Sequence, residues 1–289
     1  MLGFCAMLII SRTPLRISFF GGGTDYPDYY HRCAGAVLGT TIDKYTHVSV
    51  NTIDPFFEYK MRLSYSKTEL ISHVDEIQHP SIRECLRFLN IERELDIHIF
   101  SDLPARTGLG SSSSFTVGFL NALYAFHGKY ISKQQLAEEA VKIEQHCIRE
   151  NVGSQDQFHA AFGGFNIIEF TRQGIQVRPV IMSRENKAKL EDSLMVFFSG
   201  MTRHASEILK EQISKTKQQE NDTALQEMLS MVGVAQGLLM KGDVEGFGKL
   251  LHESWMLKKS LASKVSTSRI DAAYQKAIQA GAWGGHFAS

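Results

Sequence analysis

No charge of one sign dominates this chain: 31 Lys and Arg residues balance 31 Asp and Glu residues over a length of 289. The balance excludes a general affinity for nucleic acid or for an anionic membrane surface, so any anion site must be built locally. Cysteine is scarce as well. Cys5, Cys33, Cys85 and Cys147 lie far apart and form no C-x-x-C pair. That argues against a disulfide framework or a structural zinc site, and for reduced thiols in a cytoplasm. Long hydrophobic runs are also missing. The apolar start, Met1 to Ile10, is too short to span a bilayer and lacks the charged opening of a signal peptide, and Met7 is an alternative initiator. There is no internal repeat and no low-complexity tract. What is present, 43% hydrophobic and 21% charged residues, is the composition of a globular enzyme. The length allows one large domain or two of common size.

The pattern of the chain changes near residue 180. Before it, strand-like and helix-like segments alternate. Leu8 to Phe20 reads as a strand broken at Pro14 and ended by Gly21-Gly22-Gly23. Ala36 to Val50 reads as one or two strands rich in β-branched residues. Ser81 to Leu89 is a short helix, Leu95 to Phe100 a strand and Phe115 to Phe126 a helix. Ser132 with Gln135 makes a capping-box signature, and Leu136, Ala140, Ile143 and Cys147 recur at helical spacing as a buried stripe. Strands are expected over Phe165 to Phe170 and Ile175 to Ile181. After an apolar run, Leu194 to Phe198, expected as a strand, the chain reads as helical: Arg203 to Lys217, Ala224 to Met240, Asp243 to Lys259, and Ser268 to Ala280 capped by Gly281. The charged tract Lys210 to Asp222 needs no role beyond a solvated helix face.

The most informative segment is Leu103-Pro-Ala-Arg-Thr-Gly-Leu-Gly-Ser-Ser-Ser-Ser114, between a strand and a helix. Glycine lets the backbone approach a ligand, and the first turn of a helix leaves N–H groups without intrahelical partners. With the positive end of the helix dipole, such donors suit a phosphate. Serine hydroxyls add hydrogen bonds or a ligand for phosphate-bound Mg²⁺. The loop is not a Walker A motif, since no lysine follows its glycines. The plain alternative is a flexible Gly/Ser loop.

Four side chains stand out beside it, three of them with a plain structural use. Arg16 lies on the first strand, as an edge arginine or an ion-pair partner. Asp25 follows the glycine run. Asp156, in Gly153-Ser-Gln-Asp-Gln157, suits an Asx-turn or a helix cap. Glu144 falls about 80° from Leu136 and about 40° from Ala140 at 100° per residue, on the shoulder of the apolar stripe. There it pairs with a base or holds a cation where the helix meets a cleft.

Three stretches carry a family resemblance. Pro14-Leu-Arg-Ile-Ser-Phe-Phe-Gly-Gly-Gly-Thr-Asp-Tyr26, Pro104 to Ser114, and Gly153 to Phe158 with Phe162-Gly-Gly164 resemble the motifs of the GHMP superfamily of small-molecule kinases. The family is named for galactokinase, homoserine kinase, mevalonate kinase and phosphomevalonate kinase. The resemblance runs from about residue 8 to about residue 285 and is nearest to the D-glycero-D-manno-heptose 7-phosphate kinase branch.

It implies a two-domain fold of class α/β and α+β: an N-terminal ribosomal-S5-domain-2-like ATP-binding domain over residues 8–180 and a C-terminal α+β domain over 181–289. It implies ATP and Mg²⁺ as cofactors and a sugar or sugar phosphate as substrate, with no nucleic-acid or membrane partner and a possible homodimer. Asp156 becomes the base or substrate orienter, with Arg16 beside it. Pro104, Gly108, Leu109, Gly110, Ser111, Ser112 and Ser113 become the nucleotide-phosphate loop. Ser112 and Glu144 become Mg²⁺ ligands, and Asp25, Gly22 and Gly23 contact the sugar.

Two departures qualify the resemblance. Galactokinases have Gly-Glu-His-Thr-Asp where this chain has Gly21-Gly-Gly-Thr-Asp25, which points away from galactose. The family's third glycine-rich motif should follow Gly281-Ala-Trp-Gly-Gly285, where the chain reads His286-Phe-Ala-Ser289. A second domain without that motif is expected to be weakly stable and weakly catalytic. Besides a sugar kinase, a non-enzymatic or inactive truncated relative that binds sugar or nucleotide and a kinase of a non-sugar alcohol are consistent with the sequence.

Overall fold

The computed structural model describes residues 7–54, 56–104, 107–198, 206–263 and 265–287. Two long antiparallel strands start the chain, β1 (Ile9–Phe20) and β2 (Gly35–Asn51), with a single helical turn, α1 (Pro27–Tyr30), between them. The short strands β3 (Met61–Ser64) and β4 (Thr68–Ile71), helix α2 (Pro80–Phe88) and strand β5 (Leu95–Ser101) follow. Then come helices α3 (Ser111–Phe126), α4 (Lys133–Lys142) and α5 (Gln155–Phe162), and strands β6 (Phe165–Thr171) and β7 (Gly174–Pro179). Every described element beyond Pro179 is a helix: α6 (Arg184–Ser193), α7 (Ser206–Lys217), α8 (Asp222–Lys241), α9 (Val244–Ser260) and α10 (Ser268–Gln279).

The strands form one seven-stranded sheet in the order β4-β3-β5-β2-β6-β7, with β1 paired along β2. β2 serves as its spine. Its first half pairs with β6 through Gly35 to Thr40, and its second half with β5 through Thr46 to Asn51. Neighbouring residues of a strand point to opposite faces, and here they enter different cores. Val37 and Ile168 join Ala137 of α4 and Phe158 of α5, whereas Leu38 and Ile167 join Val232 and Leu239 of α8 and Phe247 of α9. Helices α6, α8 and α9 therefore pack on the same sheet that α4 and α5 cover from behind. A third core places Val48, Val50 and Ile97 against Phe119 and Leu123 of α3. Each such fully buried side chain contributes roughly 1.5–3 kcal/mol of transfer free energy.

Most elements fall where the sequence reading puts them, and the differences have physical causes. Pro14 does not break its strand. β1 continues through it, with an irregularity of register between Pro14 and Arg16. β2 is one strand, and β3, β4 and α6 carry no pattern strong enough to have been assigned. Ser132 accepts from the Gln135 N–H as a capping box requires, but the Gln135 side chain donates to Glu139 instead of turning back.

Two corrections are larger. The helix expected to run through Cys147 widens into a π-helical turn over Ile143–Ile148, which leaves Cys147 exposed and turns Glu144 fully inward. Leu194 to Phe198 is not a strand. It pairs with nothing in the sheet, and its side chains are exposed, Phe197 to 78%. An apolar run becomes a strand only when a neighbour takes its backbone groups. Residues 199–205, including the start expected for the Arg203 helix, lie outside the described residues.

Candidate active site

The site is assembled where β1, the glycine run after it, the loop before α3 and the first turn of α5 meet. The α3 loop docks on β1 through its backbone, since Arg16 N–H donates to the Leu109 carbonyl over 3.0 Å. The Arg16 side chain then reaches both neighbours. Its Nη1 donates to the Gly108 carbonyl (2.5 Å), while Nε and Nη2 donate to Oδ1 and Oδ2 of Asp156 (2.8 and 2.9 Å). This is the bidentate fork that arginine makes with a carboxylate. Asp156 sits in the first turn of α5, where the helix dipole favours negative charge. Its side chain stays 25% exposed, enough to meet a ligand.

Gly110 is the hinge of the arrangement. It caps α3 in the left-handed region (φ 74°), and a Cβ there would stand 3.2 Å from Arg16 Cγ and 3.3 Å from Asp156 Oδ2. A glycine cap has no side chain to occupy the first-turn N–H groups, so those of Ser111, Ser112 and Ser113 lack a capping acceptor. Pro104 precedes this loop as an exposed residue, and Ser112 is exposed at the helix start. Ala105 and Arg106 lie outside the described residues.

Behind the loop lies Glu144, with no solvent exposure. Ser113 Oγ donates to its Oε2 over 2.8 Å and Gln157 Nε2 over 2.5 Å, while Oε1 has no partner among the described residues. Burial raises its pKa to about 7, opposed by the hydrogen bonds of Ser113 and Gln157. The structure thus brings Ser113, not Ser112, onto Glu144. An orphaned oxygen on a fully buried carboxylate, next to serine hydroxyls at a phosphate-type helix start, fits a hard cation held partly by phosphate oxygens. No cluster of three or more His, Cys, Asp or Glu suited to a metal occurs among the described residues.

Asp25 has a different setting from the one expected. It is 1% exposed, and its carboxylate accepts from the Gly23 N–H and from the N–H and side chain of Gln155. Burial, with a smaller contribution from nearby Asp156, pushes its pKa up. It ties the glycine run to the Gly153–Asp156 turn, and the turn comes so close that a Cβ on Gly153 would lie 1.9 Å from Oδ2. Gly23 is enclosed as well, facing Leu225 and Gln212, whereas Gly22 lines an open pocket beside Arg16.

That pocket also draws on residues the sequence did not single out. Phe19, Met228 and Trp255 give it an apolar side, and Gln155, Lys258 and His286 a polar one. Lys258 comes from the last turn of α9. Burial and the Arg16 charge lower its pKa to about 8, opposed by Asp25 and Asp156, so it stays mostly protonated at neutral pH. His286 is lowered to about 3 by burial and the Lys258 charge, which leaves it neutral. Nothing in the pattern of α9 marks Lys258, because a basic residue at a helix C-terminus is expected for the dipole alone.

Residues 80–164, which span the α3 loop, Glu144 and Asp156, match the family model for the GHMP kinases N terminal domain. D-glycero-alpha-D-manno-heptose 7-phosphate kinase of Campylobacter jejuni is 26% identical over 96% of this chain and 85% of its own. Galactokinase of Pyrococcus furiosus is 25% identical over 96% of this chain and 84% of its own. Among solved structures, a D-glycero-D-manno-heptose 1-phosphate kinase from Bacteroides thetaiotaomicron shares the fold at a TM-score of 0.76 and 24% identity, covering 97% of this chain and 86% of that one. No helix among the described residues is long and apolar enough to cross a membrane. Residues 80–164, with the phosphate-type loop and the Asp156 turn, thus match the GHMP kinases N terminal domain, and the chain as a whole is similar to named sugar kinases along most of their length.

Proposed function

We propose that the chain is an ATP- and Mg²⁺-dependent phosphotransferase acting on a hydroxyl, the anomeric one, of a sugar or sugar phosphate such as D-glycero-D-manno-heptose 7-phosphate. One observation carries the reading. Arg16 clamps Asp156, holds the loop before the uncapped N-terminus of α3 through the Gly108 carbonyl, and itself lines a half-polar pocket. Residues 8–180 then supply the nucleotide loop, and residues 181–289 supply α8 and α9 as the far wall of the acceptor pocket.

The roles follow from the geometry. The backbone N–H groups of Ser111 to Ser113, with Gly108 and Gly110 giving close approach, bind the nucleotide phosphates. Glu144 and Ser112 would hold Mg²⁺, which when bound supplies neutralisation of phosphate charge. Asp156 accepts the proton of the attacking hydroxyl on an oxygen lone pair that Arg16 leaves free, since each carboxylate oxygen has two. Arg16 fixes the direction of that carboxylate through its two hydrogen bonds. Carboxylates are weak bases, which suffices where the proton leaves late and where the hydroxyl is anomeric and so more acidic than an ordinary alcohol. Gly22 offers backbone to the sugar. Asp25 holds the turn that carries Asp156, and the glycines at positions 22 and 23 widen the entrance that larger residues would fill.

The reading is tested by following ADP release from ATP and Mg²⁺ against a panel of sugars, sugar phosphates, homoserine and mevalonate. It expects release that depends on a sugar or sugar phosphate. Release with homoserine or mevalonate alone, or none with any acceptor, would overturn it.

A further inference from the structure

The Asp156 chemistry leaves the cation across the pocket without a task. Arg16 spends its guanidinium on Asp156 and Gly108. Lys258, half-buried on α9, has an ammonium group that makes no hydrogen bond and no ion pair among the described residues. The two carboxylates whose field it feels, Asp25 and Asp156, are already held by other donors. A partly desolvated cation without a counter-charge is unfavourable, and an arriving anion relieves it.

The placement says which anion. No described residue of the 103–114 loop lines this pocket, which places the nucleotide phosphates on the other side of Arg16 and Asp156. The surroundings of Lys258 suit a sugar: Phe19 and Trp255 for its carbon face, Gln155 and His286 for its hydroxyls. We propose that Lys258 binds an anionic group on the acceptor itself, a phosphate ester away from the reacting hydroxyl, and so selects sugar phosphates over neutral sugars. This rests on the pocket being the acceptor site of the kinase proposed above.

The test titrates the full chain calorimetrically with D-glycero-D-manno-heptose 7-phosphate and with the unphosphorylated heptose, and measures ADP release in parallel. Wild type, Lys258→Met, Lys258→Gln and Lys258→Arg are compared, the second neutral variant covering any loss of fold in the first. Wild type should hold the phosphorylated sugar at least about tenfold more tightly, as expected of one charge-assisted hydrogen bond. Lys258→Met and Lys258→Gln should lose most of that preference while the KM for ATP stays within about twofold, and Lys258→Arg should keep much of it. A preference unchanged in both neutral variants overturns the proposal. So does a fall in kcat that is equal for both sugars with a raised KM for ATP, which would put Lys258 on the transferred phosphoryl group. Preference lost without ADP release in wild type would support the subsite and sink the kinase reading; ADP release with an unchanged preference would do the reverse.

Discussion

Arg16 on β1 and Asp156 in the first turn of α5 lie 140 residues apart in sequence and share two hydrogen bonds, of 2.8 and 2.9 Å. The pair fixes a carboxylate in direction beside a phosphate-type loop and a pocket that Arg16 lines. Asp156→Asn keeps the size of the side chain, removes the base and breaks the ionic fork. It should lower kcat by about 10²–10⁴-fold, the usual range for a positioned acid or base, with ATP affinity within a few-fold. Steady-state kinetics with a titration of ATP would check both halves. A mutant with near-wild-type kcat would return Asp156 to the role of a helix cap.

Glu144 links metal, pH and stability. Its folded pKa of about 7 lies above the ordinary value of 4.5, so the folded state holds a proton that the unfolded state has released. Metal-free protein should therefore lose stability as pH rises from 4.5 to about 7 and change little above that, by about 3 kcal/mol in all. Glu144→Gln should flatten this slope and melt higher than wild type near pH 8 without metal. Mg²⁺ should stabilise wild type there and leave the variant unmoved. Thermal melts at about pH 5 and about pH 8, with chelator or with Mg²⁺, read all of this; identical slopes in the two proteins would contradict the assignment.

The metal reading also separates two neighbouring serines. Ser113→Ala removes a 2.8 Å hydrogen bond to a buried carboxylate and should destabilise the metal-free fold by about 1–2 kcal/mol. Ser112→Ala, at an exposed position, should leave the melting temperature alone and modestly raise the Mg²⁺ concentration for half-maximal activity. Glu144→Gln should raise it more, because cation affinity follows ligand charge.

Gly153 tests the staple between the two loops. Its Cβ would meet Asp25 Oδ2 at 1.9 Å, so Gly153→Ala should cost about 1–3 kcal/mol by forcing the turn and the buried carboxylate apart. Gly233 is the control. It is exposed within α8 with nothing within 4 Å of an added Cβ, and Gly233→Ala should stabilise by roughly 0.5–1 kcal/mol. Denaturant melts of the two variants should therefore move in opposite directions.

The strand–loop–helix around Gly108–Ser114 was legible because glycine and serine are used there for reasons of backbone chemistry, which the sequence carries directly. Arg16, Asp156 and Glu144 were legible as residues standing against their local pattern. The fate of Glu144 was not, since a regular 100° step cannot anticipate the π-helical turn that carries it from the stripe's shoulder to full burial. Asp25 read as a ligand-facing group because its three donors come from Gly23 and Gln155, and the Gln155 contact spans 130 residues. Lys258 and His286 were silent for the same reason: their meaning lies in which side chains tertiary packing turns to the pocket. Leu194 to Phe198 shows the converse, a strand-like composition whose outcome depends on a partner strand.

The central claim is that this site transfers a phosphoryl group from ATP to a sugar hydroxyl through Asp156. Incubating wild type and Asp156→Asn with ATP, Mg²⁺ and D-glycero-D-manno-heptose 7-phosphate, and following ³¹P resonances, tests it most directly. The account predicts a new anomeric phosphate resonance growing in step with ADP in the wild-type reaction, and neither in the mutant reaction on the same timescale. ADP and inorganic phosphate appearing without any new sugar phosphate, or equal product from both proteins, would contradict it.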